Sequence, residues 1–208
     1  MIFDVNAWVG TFPFRSLRDN TPEGLLARLD RSGIDAAAVG SIEAAFHRNV
    51  QPANERLVEA LAPYGDRLFP MATLNPEYVR WEDDLARCHE VLKVRGVRLF
   101  PQYHGYEVDG PQAIKAAKAC AERGLPVALV HRLEDPRQRH WMDPGNVLDL
   151  GRIGRLIAAV PQGTYLILNA RGFPRSPLWR DARLREAAWY ADLALAEVHY
   201  VLHRSVST

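Results

Sequence analysis

Short apolar runs of strand type alternate with amphipathic stretches of helical period along the chain, and this alternation constrains the fold more than any other feature. The strand-like runs start near residues 2, 36, 68, 94, 126, 164 and 191. Their mean spacing of about 31.5 residues is typical of one βα unit in a barrel. Helical stretches lie between them at residues 21–31, 54–62, 81–92, 112–123 and 147–160, with a last helix and strand around 182–201. Repeated βα units imply a parallel sheet, either doubly wound or closed into a barrel. No GxGxxG or GxxxxGK follows a strand, so the phosphate-cradling signature of the nucleotide-binding sheets is missing. The expected fold class is therefore α/β, a TIM-type (β/α) barrel. On the same spacing an eighth strand would start near about residue 222. The expectation is thus an incomplete barrel of about seven of eight strands, forming a single domain over residues 1–208 that is truncated at its carboxyl end.

Composition narrows the partners. At 48% hydrophobic and 25% charged residues the chain can bury one substantial core. Lysine plus arginine number 26 against 25 acidic residues, so no long-range field favours nucleic acid or an anionic membrane. No basic leader precedes the first strand, and no run approaches the roughly 20 apolar residues of a membrane helix. A soluble, cytoplasmic protein is expected, with a small molecule as its partner, and with neither nucleic acid nor membrane. The two cysteines, Cys88 and Cys120, sit in helical patterns without metal-binding spacing and read as small core residues. Gly33, Gly65 and Gly124 follow helices and are expected to be left-handed caps, while Thr21-Pro22 opens the first helix.

Strand alternation identifies the candidate site residues. In the first strand Phe3, Val5, Ala7 and Val9 are expected on the helix-facing side, leaving Asp4, Asn6 and Trp8 inward. Val97 and Leu99 likewise leave Arg98 and Phe100 inward. A buried guanidinium requires a carboxylate, supplied either by Asp4 as an internal brace or by a substrate. His131 ends the fifth strand, where it is either a hydrogen-bonded structural histidine or an acid-base group. Asn169 and Arg171 end the sixth strand, where they orient a substrate or, for Asn169, stabilise a turn. The segment 102–107, with Tyr103, and the long irregular stretch 133–146 follow adjacent strands and supply aromatic, basic and acidic groups for a pocket.

Several of these segments carry a resemblance. Phe3-Asp4-Val5-Asn6-Ala7-Trp8-Val9-Gly10 resembles the D-x-H-x-H-x-G opening of the amidohydrolase-related, metal-dependent hydrolase and decarboxylase-like barrels, with Asn6 and Trp8 at the two histidine positions. Ala53-Asn54-Glu55 with Gly65-Asp66-Arg67-Leu68-Phe69, then Gly96-Val97-Arg98-Leu99-Phe100-Pro101 and Gly124-Leu125-Pro126-Val127, resemble further family segments in order. The resemblance implies a divalent metal held by the two opening histidines, a histidine ending the fifth strand and an aspartate after the eighth. Of these only His131 is present, and Asn169 stands where the sixth strand usually carries a histidine. A catalytic zinc takes three protein ligands plus water, an amide is a weak ligand, and an indole has no lone pair to give.

The expectation is therefore an amidohydrolase-type protein with its usual metal site largely lost, in which no cofactor is expected and a divalent metal such as zinc, held by His131, is the alternative. If active, it is a hydrolase or non-oxidative decarboxylase acting on a small carboxylated or lactone-like substrate. His131, Arg98 and Asn169 would be its catalytic groups, and Asn6, Trp8, Tyr103 and Arg171 its substrate-binding groups. The competing reading is a noncatalytic small-molecule binding or interaction protein on the same barrel. An open barrel edge would also favour homo-oligomers.

Overall fold

The longer helices form where apolar residues recur at helical spacing. Helix α1, Pro22–Arg31, shows this best: the Thr21 hydroxyl accepts the Gly24 N–H, Pro22 occupies the first turn, and Leu25 and Leu29 are buried. The structure is a computed structural model that describes residues 1–135, 137–170, 184 and 188–193. It divides into two compact units, residues 1–105 and 106–208.

In the first unit the order is β1 (Phe3–Val9), α1, β2 (Ala36–Ser41), α2 (Gln51–Leu61), β3 (Leu68–Leu74), α3 (Trp81–Glu90), β4 (Gly96–Leu99) and a single helical turn, α4 (Pro101–His104). The strands are parallel and pair in sequence order, β1 with β2, β2 with β3 and β3 with β4. Ala7, Val9, Ala37, Val39 and Leu68 pack with Leu25, Leu29, Leu57 and Leu61, which fixes the helix-facing side of this sheet. Ala72 packs with Cys88 and Val94 on the same principle.

The second unit contains α5 (Pro111–Ala121), β5 (Val127–Val130), α6 (Leu150–Ala159), β6 (Thr164–Ala170) and β7 (Ala188–Leu193). Its strands are also parallel, β5 with β6 and β6 with β7. Asp149 caps α6 by accepting the Arg152 N–H at 2.7 Å. Asp109, before α5, accepts from both Arg152 and Arg155 at 2.7 Å and ties the two helices together. No helix among the described residues is long and apolar enough to cross a membrane.

Three expectations change. The register of β1 against β2 shifts between Asp4 and Ala7, a bulge that interrupts the alternation. Above it Ala7 and Val9 face the helices as expected, whereas below it Phe3 sets its ring 5.8 Å from that of Phe69 and stays exposed. Gly65 is right-handed, at φ −65°, because α2 runs into a 3-10 turn, Ala62–Tyr64, that closes the segment without a left-handed cap. Gly33 and Gly124 do take positive φ, both +66°. Residues 102–107 are not wholly loop, since Pro101 starts the helical turn α4 that carries Tyr103. Arg171 and the last expected helix lie outside the described residues.

Candidate functional site

On the side of the first unit's sheet away from the helices, Arg98 is the dominant feature. It is fully buried, one of the largest side chains in the protein without solvent contact. Its Nη2 donates to the Ala38 carbonyl at 2.9 Å, and its Cζ lies 3.9 Å from the centre of the Trp8 ring. Nε and Nη1 have no hydrogen-bond partner. Burial pulls the guanidinium down to about 9, opposed by the charge of Asp4, so it remains a cation at neutral pH. The close approach depends on Gly40: a Cβ there would lie 2.8 Å from Nη1 and 2.9 Å from Cδ and Cζ. A glycine inside a strand is the sequence signal for such an approach.

The expected Asp4–Arg98 brace is not formed. The Asp4 Oδ1 instead accepts the backbone N–H of Asn6 at 2.8 Å, inside the bulge that turns the strand locally. Asp4 acts on Arg98 only through its field. The Asn6 Oδ1 accepts the Trp8 Nε1–H at 2.8 Å. These residues do not fit a divalent ion at the position implied by the opening motif. The Asn6 amide oxygen is engaged, Trp8 has no lone pair, and the ring face already carries a cation. Among the described residues, no group of three or more His, Cys, Asp or Glu side chains is placed to hold a metal.

From Trp8 a chain of ring contacts runs through the first unit. Trp8 meets Phe100 at 5.9 Å, Phe100 meets Tyr103 at 6.3 Å, and Tyr103 meets Phe46 at 5.1 Å. Phe46 in turn contacts Phe12 and Phe14, which line an open cavity of about 620 Å³ in the loop after β1. Tyr103, an expected binding residue, thus belongs to a cluster of packed rings. His104 packs edge-on against Phe100 and faces the Ala44 carbonyl through Nε2 at 3.3 Å. Its burial lowers its pKa to about 4 and keeps it neutral.

In the second unit His131 and Asn169 come together at the ends of β5 and β6. The His131 N–H donates to the Leu168 carbonyl and its C=O accepts from Leu148, so the backbone is pinned on both sides. Its Nδ1 lies 3.3 Å from the Asn169 carbonyl. Because a carbonyl only accepts, Nδ1 carries the proton and Nε2 the lone pair. Burial lowers the pKa, the Asn169 hydrogen bond opposes it, and the charge of Arg132 adds to the lowering. Asn169 adopts φ +54°, and its Nδ2 donates back to the Arg132 carbonyl at 3.0 Å. Its side chain therefore holds the turn, while its backbone orients the imidazole.

Comparison with known proteins follows the same lines. The profile of a family described as Amidohydrolase matches residues 9–197. No curated protein matches the chain. An uncharacterised TIM-barrel protein from Bordetella bronchiseptica is similar at 16% identity and TM-score 0.63, over 91% of this chain and 74% of that one. A dihydroxybenzoic acid decarboxylase from Polaromonas sp. JS666, solved with manganese and the inhibitor 2-nitroresorcinol, is similar at 14% identity and TM-score 0.65, over 91% and 77%. A probable 2-pyrone-4,6-dicarboxylic acid hydrolase from Acinetobacter baumannii, with citric acid bound, is similar at 16% identity and TM-score 0.53, over 91% and 68%. At these identities the likeness establishes the fold, an α/β TIM-barrel type, and nothing finer.

Proposed function

The chain belongs to the amidohydrolase family, and from that premise we propose that it is a hydrolase or non-oxidative decarboxylase for a small carboxylated or lactone-like substrate, working without the family's metal. The observation that carries this reading is the buried Arg98 guanidinium with two donors unmatched. Leaving such donors dry costs on the order of 1–3 kcal/mol, more for a charged group, and a substrate carboxylate removes that cost. The solved relatives include proteins whose names specify carboxylated aromatic or pyrone compounds.

Arg98 binds and polarises the carboxylate or carbonyl, and Asn6 and Trp8 shape its surroundings. Within the second unit, taken by itself, His131, neutral at pH 7 with its lone pair on Nε2, is proposed as a general acid or base, with Asn169 as its positioning residue. Arg171 is retained as a proposed binding residue on its sequence position alone. A cytoplasmic location and a homo-oligomeric state remain part of the proposal.

Turnover of hydroxybenzoates, by carbon dioxide release, and of pyrone carboxylates and lactones, by ring opening, tests this directly. Activity in EDTA that falls more than about 100-fold in His131→Asn is expected, on the usual scale for an acid-base group. Wild-type turnover that appears only with added zinc or manganese would restore the metal-dependent alternative. Asn6 and Trp8 at the ligand positions favour one second reading, a noncatalytic binder. It would show binding of these compounds with no turnover under either condition.

A further inference from the structure

Thr73 lies opposite Arg98 in the β3–β4 pairing. Ala72, the residue before it, packs with Cys88 on the helix-facing side, so Thr73 projects from the other side with Arg98. Its hydroxyl is buried, at 1% exposure, and Oγ1 has no hydrogen-bond partner. The backbone of Thr73 is meanwhile fixed by Asn54, whose Oδ1 accepts the Thr73 N–H at 2.8 Å and whose Nδ2 donates to the Thr73 carbonyl at 2.9 Å. An orphan hydroxyl on a rigidly held strand thus sits in register with a guanidinium that has two orphan donors. Two adjacent unmet polar side chains are uncommon in a native interior, and together they mark a place built for an occupant.

The geometry points to a built anion site in which Arg98 and Thr73 hold one carboxylate directly, with Trp8 and Gly40 as positioning residues for the guanidinium; this deepens the proposed function and rests on it. Nη1 lies on the Cδ side of the guanidinium and Nε on the side it shares with Nη2, so the two free donors point different ways and one carboxylate oxygen takes the Nε–H. The Thr73 hydroxyl donates a second hydrogen bond to the same carboxylate. Trp8 supports the cation from its ring face, and Gly40 leaves the room that any side chain would fill. The positive charge that neutralises the bound carboxylate is the protein's own.

Calorimetric titration of benzoate into the full chain after EDTA treatment, repeated with manganese added, tests the site. Benzoate should bind with and without metal. Arg98→Leu should weaken it by more than about 100-fold, and Thr73→Val by about tenfold, on the scale of one charged and one neutral hydrogen bond. Thr73→Ser, which keeps the hydroxyl, should restore the affinity and guards against a folding defect in the valine variant. Gly40→Ala should weaken binding as much as loss of Arg98. Equal affinity in wild type, Thr73→Val and Arg98→Leu would overturn the inference while leaving a carboxylated substrate in place. Binding only with manganese would overturn it in favour of a metal. No carboxylate binding under any condition would remove both the inference and the proposed function.

Discussion

Cys88 shows how a buried polar group is used for structure. Its thiol donates to the Gln51 Oε1 at 3.3 Å, and burial pushes its pKa up to about 12. It should resist a thiol-specific reagent at pH 8 in the native state and react only on unfolding; prompt native labelling would contradict its position. Asn54, 1% exposed, bridges α2 to the Thr73 backbone. Asn54→Ala leaves a buried N–H and C=O unmatched, so urea denaturation should show a loss of about 2–4 kcal/mol. His104 and His131 are both held neutral by burial, His104 with a pKa of about 4. Their folded values lie below the unfolded value near 6.5, so the unfolded chain takes up protons first as the pH falls. The stability they contribute is therefore present above about pH 6.5 and is lost as the pH falls towards 4. His104→Phe should flatten that loss, by up to about 3 kcal/mol at pH 4; an unchanged pH profile would show that His104 is not its source.

At the scale of elements, strand and helix order was legible in the sequence because each element carries its own period and punctuation. The strands at 36–41, 68–74 and 164–170 begin where their apolar runs begin. The bulge in β1 was not legible, since its cause is the pairing with β2 and the turn of Asp4 onto Asn6, neither of which leaves a local pattern. The expected Asp4–Arg98 brace failed for the same reason. Gly40 and Thr73 are not legible as site residues in the sequence, because one has no side chain and the other sits in an apolar strand, and only their register with neighbouring strands brings them to Arg98. His131 and Asn169 were placed by their strand ends, and the structure adds that the backbone of one fixes the tautomer of the other. At this scale Asp109 joins the start of α5 to α6 through Arg152 and Arg155. Asp109→Asn should lower stability by about 1 kcal/mol, less in high salt, as measured by thermal melts at two ionic strengths.

For the molecule as a whole, family membership supplies the barrel-type fold, and the particular side chains decide its chemistry. Where the opening motif would place metal ligands, this chain has an indole beneath a guanidinium. That exchange has a thermodynamic signature. A buried, half-matched arginine destabilises the free protein, so Arg98→Leu should leave stability unchanged or raise it by about 1–4 kcal/mol while binding is lost, the pattern of a residue kept for function. The most direct measurement is a crystal structure of the chain with 4-bromobenzoate, whose bromine locates the ligand by anomalous scattering. The carboxylate is predicted within hydrogen-bonding distance of Arg98 Nε and of the Thr73 hydroxyl. A ligand ordered elsewhere, with only water or an internal side chain against the Arg98 edge, would contradict the carboxylate site.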